Sequence, residues 1–251
     1  MGQCNPSWTP MENRLKLTKN NGEVVDATKY RSVIGSLRYL VNTRPDIVYA
    51  VGVVSRFMEA PGKEHWTAVK QILRYVKGTL SHGCTFRAGR GDTLVSFSDS
   101  DHAGDPVDRK SMTGLVFFLG DSVITWSSQK QKIVAMWSCE AEYIVAATAA
   151  TQAVWLSRLL AEMFGGDVQK VKLRVDNKSA IELCKNPVHH ERSKHIDLRY
   201  HYIRECVELG RVDIEHVRTG DQLADILTKS LGRTRFAELR LKLGINQVQQ
   251  I

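Results

Sequence analysis

The chain has 251 residues, enough to bury a sizeable core in one large domain, or in one domain with a smaller appendage. Its 43% hydrophobic and 25% charged residues are ordinary for a globular protein. No apolar run reads as long enough to span a membrane, and Met1–Leu17 lacks the apolar segment of a secretory signal. Five cysteines at wide spacings, with no CxxC pair, exclude a disulfide framework and a zinc ribbon and fit a reducing compartment. The net charge is +8. Residues 1–90 carry 14 Lys+Arg against 6 Asp+Glu, whereas the remainder carries 21 of each. The whole basic excess therefore lies in the first third, which suggests a grip for a polyanion beside a neutral body.

In chain order, residues 1–27 are polar and rich in turn signals (Asn5-Pro6, Thr9-Pro10, Asn21-Gly22), so an irregular arm is expected. Residues 34–41, 47–58 and 66–80 repeat apolar side chains at three-and-four spacing and predict a small helical subdomain. Arg44-Pro45-Asp46 and Ala60-Pro61-Gly62 punctuate it. The Gly-rich, basic run from Ser81 to Asp92 reads partly as a linker. The pattern then changes to LVSFSDSD, TGLVFFLG and SVITWSSQ, short β-rich runs that predict three consecutive antiparallel strands. A long helix follows from about Cys139 to Phe164, then a strand VKLRVD and a helix NKSAIELCK. KHIDLRYHYIRECVELG predicts another helix, VDIEHV a last strand, and DQLADILTK the start of a last helix. Strands and helices in this order predict an α/β fold, a mixed sheet flanked by helices.

Four acids fall at the ends of different elements. Asp99 follows Val95 and Phe97 on one strand face, Glu142 lies in the first turns of the long helix, and Asp176 ends the fourth strand. Asp225 lies in the expected last helix, one turn after Asp221 as its N-cap. Rigid elements that each deliver one carboxylate to a common point are what a metal site requires. Oxygen donors select Mg²⁺ or Mn²⁺ over zinc. Two such ions about 3.5–4 Å apart are the usual device for phosphodiester hydrolysis. Each acid taken singly reads equally well as a solvated charge or a cap. Glu140, two residues from Glu142, points to another helix face and complements the helix dipole. Asp101, Asp105 and Asp108 read as loop acids, with strand alternation favouring Asp99 over Asp101.

The series LVSFSDSDHAGD, SSQKQKIVAMWSCEAEY, VDNKSA, RSKHIDLRYHYIRE and DQLADILTK resembles the end of the Pol polyprotein of copia-type LTR retrotransposons. The preceding YRSVIGSLRYLVNTRPDIVYAVGVVSRFM and HWTAVKQILRYVKGTL resemble the tail of the reverse transcriptase. The resemblance implies a ribonuclease H-like five-stranded mixed sheet over residues 91–245, preceded by a basic thumb- or connection-like helical tail over 28–90. It implies Asp99, Glu142, Asp176 and Asp225 as catalytic and metal-binding residues, and two Mg²⁺ or Mn²⁺ as cofactors. It implies the RNA strand of an RNA–DNA hybrid as substrate, cut to 3′-hydroxyl and 5′-phosphate ends. The remainder of the Pol polyprotein is the implied partner, with no membrane and no small-molecule cofactor. The implied location is intracellular, in a cytoplasmic virus-like particle or in the nucleus.

Lys130, Lys132, Asn177, Lys178, Arg192 and Lys194 flank the acids and are the candidate phosphate contacts, each also readable as a surface base. Arg38, Arg44, Lys70, Arg74 and Lys77 are candidates to hold the duplex further off. His189, His190 and His195 with Cys184 match no zinc-finger spacing. No role is assigned to Asp197. The chain also departs from the pattern. No YxDD-type polymerase motif occurs, so no DNA synthesis is expected. Bulky Met136-Trp137 opens the long helix, and the loop VRTGDQ lacks a histidine, His216 preceding it on the strand. The alternative reading is an inactive retroelement remnant that at most binds nucleic acid.

Overall fold

The computed structural model describes residues 3–19, 23–86, 91–186 and 201–248. Among its described residues the N-terminal arm has no helix or strand up to Val24, which bridges Gly62, yet it is packed: Met11 and Leu17 are buried. Its carbonyls take hydrogen bonds from one helix, Gln71 to Thr9, Arg74 to Asn5 and Lys77 to Cys4.

Three helices follow: α1 (Ala27–Leu40), α2 (Val48–Val54) and α3 (Lys63–Gly78). Asp26 caps α1 by accepting from the Thr28 and Lys29 amides. The turn Arg44-Pro45-Asp46 forms a 3-10 turn (Pro45–Ile47), and its charges are buried. Arg44 makes a two-pronged bond to Asp46 (2.9 and 2.7 Å) and donates to Thr79, while the Tyr75 hydroxyl donates to Asp46 at 2.5 Å. That network locks the start of α2 to the end of α3.

The short strand β1 (His82–Cys84), within the stretch expected to be partly linker, pairs with β7 (Ile245–Gln247). Five longer strands build the main sheet: β2 (Leu94–Asp101), β3 (Met112–Leu119), β4 (Ser122–Lys130), β5 (Val171–Val175) and β6 (Val212–His216). Their order is β4-β3-β2-β5-β6, with β2–β3 and β3–β4 antiparallel and β2–β5 and β5–β6 parallel. This is the mixed five-stranded sheet flanked by helices that the sequence predicts.

Helices α4 (Ser138–Phe164), α5 (Lys178–Lys185) and α6 (Tyr202–Glu208) cover one face over Leu94, Leu115, Phe117, Leu173 and Ile214. The other face buries Phe97, Val116 and Phe118 against α1–α3, a 3-10 turn at Leu223–Leu227 and α7 (Arg233–Lys242). The helical segment therefore shares one continuous core with the sheet.

Two expectations need correction. The last helix does not start at Asp221: a 3-10 turn capped by Gln222 spans Leu223–Leu227, and the α-helix begins only at Arg233 after Gly232. Both ends of that turn are tied to β2, through Gln222 to the Ser98 carbonyl and through Thr228 to Asp99, so it lies flat on the sheet. The second concerns membranes. Helix α4, with 27 residues, is long and apolar enough to cross a bilayer by length and composition. Its alanine-rich length is what packing against the sheet requires, since Ala146, Ala149, Ala150 and Ala153 are wholly buried.

Asp46→Ala would leave the Arg44 guanidinium buried and unpaired. The expected cost is about 3–5 kcal/mol, a fall in melting temperature of roughly 10 °C by differential scanning calorimetry.

Candidate metal centre

The site lies where β2 and β5 end side by side. They are parallel neighbours, whereas β3 on the other side of β2 is antiparallel, so the chain departs in opposite directions and leaves a crevice at the strand ends. The parallel register Phe97↔Arg174, carried two residues on, brings Asp99 beside Asp176. Helix α4 delivers Glu142 from one face and the 3-10 turn delivers Asp225 from the other.

Ligand oxygens of Asp99, Glu142 and Asp176 lie within 4.8 Å of one another. Asp99 and Glu142 are buried, at 2% and 4% exposure, and Asp176 is half-buried. Glu142 Oε1 accepts from the Ser100 amide at 2.7 Å, which fixes the rotamer of a side chain that must reach over the sheet end. Its Oε2 is buried and has no hydrogen-bond partner among the described residues. Thr228 donates its hydroxyl to Asp99 Oδ2. Gly114 makes this approach feasible: a Cβ there would lie 2.5 Å from Thr228 Cγ2 and 3.0 Å from the Ala224 carbonyl.

Burial is the main cause that pushes the acids up. Asp99 rises to about 6, with Asp225 and Asp176 adding repulsion and Lys229 opposing it. Glu142 rises well above the carboxylate range through burial and the charges of Asp99 and Asp176. Asp176 also rises, again chiefly by burial. Orphaned, repelling carboxylate oxygens at one point fit a divalent cation with a preference for oxygen donors.

Asp225 stands slightly apart. Its Oδ1 is 2.8 Å from Lys229 Nζ and its Oδ2 is 3.4 Å from Arg235, which also donates to the Gly220 carbonyl. Lys229 Nζ is also 3.3 Å from Asp99 Oδ2. Burial disfavours its charge, yet Asp99 and Asp225 hold it protonated above the ordinary lysine value. Sequence reasoning missed Thr228, Lys229 and Arg235. The signal was an Asp-x-x-x-Lys spacing, which reads as an ordinary surface pair on a helix.

Asp101 is set aside for a different reason from the one expected. Alternation places it on the same face as Asp99 and does not separate them. Asp101 lies two residues further on, accepts from the Met112 amide, and abuts Gly104, where any Cβ would collide with its carboxylate. Burial raises it to about 7. Asp105 is structural: burial pushes it up, but Lys130 at 2.6 Å and the Val107 and Asp108 amides prevail and hold it at about 2. Arg56 of the helical segment joins it at 2.7 Å. Glu140 is buried, not solvated, and accepts from the Met136 amide.

Of the expected phosphate contacts, Lys132 and Lys178 are exposed beside the cleft elements. Lys130 is engaged by Asp105 and Asp108, and Asn177 caps α5 by accepting from the Ala180 amide. Arg192 and Lys194, with His189, His190, His195 and Asp197, lie outside the described residues. Cys184 is buried in the α4–α6 core. Met136 and Trp137 are exposed, at 60% and 53%, at the start of α4.

A mixed sheet with carboxylates converging where its direction switches defines an α/β protein with a candidate divalent-cation centre. No protein-family model matches the chain. It is 44% identical over 244 residues to the retrovirus-related Pol polyprotein from transposon RE1 of Arabidopsis thaliana, a match covering 97% of this chain and 17% of that protein. It is 42% identical over 254 residues to the corresponding polyprotein from transposon TNT 1-94 of Nicotiana tabacum, covering 98% of this chain and 19% of that protein. The chain belongs to the retrovirus-related Pol polyproteins of transposons and spans less than a fifth of the length of these curated relatives. A looser likeness, with TM-score 0.40 and 18% identity, is to the N-terminal ribonuclease H domain of a Mycobacterium tuberculosis protein, covering 60% of this chain and 98% of that one.

The raised acids give the metal-free protein a defined pH dependence. Between the ordinary Asp value of 3.8 and about 6, the unfolded chain has released the Asp99 proton and the folded chain has kept it. Stability contributed by this group is therefore full below the lower value and falls as pH rises through the window. Asp99→Asn should flatten that slope in chelator-containing buffer, read as melting temperature from pH 4 to 7.

Proposed function

We propose that this chain is the ribonuclease H part of a retrotransposon Pol polyprotein and hydrolyses the RNA strand of an RNA–DNA hybrid. The observation that carries the reading is the convergence of Asp99, Glu142 and Asp176 at the sheet end, with Glu142 Oε2 buried and unpartnered. The family membership supports it.

Asp99, Glu142, Asp176 and Asp225 would hold two Mg²⁺ or Mn²⁺. Ions so held polarise the phosphodiester, lower the pKa of water and stabilise the leaving oxygen. The protein's own groups orient. The Ser100 amide fixes one oxygen of Glu142 so that the other faces the site, and Thr228 does the same for Asp99. Burial of these acids excludes bulk water and strengthens every charge interaction in the cleft. Lys132 and Lys178, both exposed, would take backbone phosphates, and 2′-hydroxyls would distinguish the RNA strand. Paired with no acid among the described residues, these two lysines are the first phosphate contacts to test.

A second reading, a chain that binds hybrid and does not cut, is favoured by one observation. Lys229 and Arg235 already flank Asp225. One assay separates the two. The purified chain is incubated with labelled hybrid and Mn²⁺, and Asp176→Asn is run alongside. The enzyme reading expects cleavage that drops by roughly a thousandfold in the variant, corresponding to several kcal/mol of charge stabilisation, with hybrid binding retained. Binding without cleavage in both proteins establishes the second reading.

A further inference from the structure

Lys229 lies at the site, and the proposed function leaves it without a role. Its ammonium lies 2.8 Å from Asp225 Oδ1 and 3.3 Å from Asp99 Oδ2, and so bridges two acids from opposite sides of the crevice. Asp225 is also the acid that stays outside the tight oxygen cluster of Asp99, Glu142 and Asp176. A cation is therefore already in place on the Asp99–Asp225 side, and among the described residues none pairs with Glu142 or Asp176, where Glu142 Oε2 is unpartnered.

The two sides differ in a second way. Arg235 is anchored: it donates to the Gly220 and Thr219 carbonyls and pairs with Glu238 as well as Asp225. Among the described residues the Lys229 ammonium has no such second anchor and meets only Asp99 and Asp225. Its side chain is 39% exposed, and a four-carbon stem gives it a path to water. Asp225 can thus lose one cation without losing both.

We propose that Lys229 is an internal, exchangeable counter-cation: it neutralises Asp99 and Asp225 in the metal-free protein and must swing out before a second divalent ion can bind there. The inference rests on the proposed metal site and goes beyond it by making the two halves of that site unequal. The Asp99–Glu142–Asp176 side fills first. The Asp99–Asp225 side fills only against Lys229, so its affinity is set by how readily that side chain leaves. A like charge within a few ångströms of an arriving divalent ion costs well over tenfold in binding at a protein surface.

The test is calorimetric titration of the metal-free chain with Mn²⁺ alone, without nucleic acid, on wild type and Lys229→Met. Wild type should show one tight and one weak binding event. Lys229→Met should strengthen the weak event by tenfold or more and leave the tight one nearly unchanged. Its metal-free form should melt lower than wild type, and Mn²⁺ should raise its melting temperature by more. If the variant is unfolded without metal, the inference expects Mn²⁺ to refold it, read by circular dichroism, and failure to refold overturns it. Asp225→Asn/Lys229→Met, which removes both charges, should keep the tight event alone. Identical titrations for wild type and Lys229→Met overturn the inference while leaving the metal site standing. A wild type that binds no Mn²⁺ overturns the proposed function and this inference together.

Discussion

Repulsion among carboxylates at the end of β2 and β5 is the constraint around which this molecule is arranged. Asp99, Glu142 and Asp176 present oxygens within 4.8 Å of one another in a largely buried crevice. Unrelieved, such a group is costly, because charges taken out of water repel through a low effective dielectric. Three devices hold it. Protons are retained more tightly on Asp99 and Glu142 than on free carboxylates. Hydrogen bonds from Ser100 and Thr228 stabilise one oxygen on each. Lys229 and Arg235 place positive charge against Asp225. A divalent cation would do the work of the first and third devices at once, and on the proposed reading that exchange is the entry to catalysis.

The scaffold is rigid where the acids need it to be. Each acid is delivered by a different element, and each element is packed into one of two cores that sandwich the sheet. The first third of the chain is part of this: α1–α3 bury the sheet face that carries Phe97 and Phe118, and Arg56 reaches Asp105 in the β2–β3 turn. The basic segment thus supports the strand that presents Asp99, whatever it also does for a polyanion. Asp105 in turn holds Lys130, so a base placed by sequence near the cleft is engaged by the protein itself.

Much of the site was legible in the sequence because strand alternation and helix period locate element ends well. Asp99, Glu142 and Asp176 each sit at such an end, and the structure brings these three together. Alternation failed to separate Asp99 from Asp101, since residues two apart share a face; depth along the strand decides, and that is a three-dimensional quantity. Lys229 was missed for a related reason. The helical period was extended over a segment that is a 3-10 turn pinned to β2, and on a helix Lys229 would be a mere i,i+4 neighbour of Asp225, whereas here it bridges to Asp99 across the crevice. The shared core of the helical segment was illegible too. Periodicity shows that a face is apolar and is silent on what covers it.

On the proposed reading these carboxylates form a two-ion site whose two halves differ in what must leave. Anomalous diffraction from crystals soaked in Mn²⁺ tests it most directly. Two peaks are expected about 3.5–4 Å apart, one among Asp99, Glu142 and Asp176 and one between Asp99 and Asp225, with the Lys229 side chain turned away from both acids. Full Mn²⁺ occupancy between Asp99 and Asp225 with Lys229 still bridging them, or no peak in the crevice at saturating Mn²⁺, would contradict it.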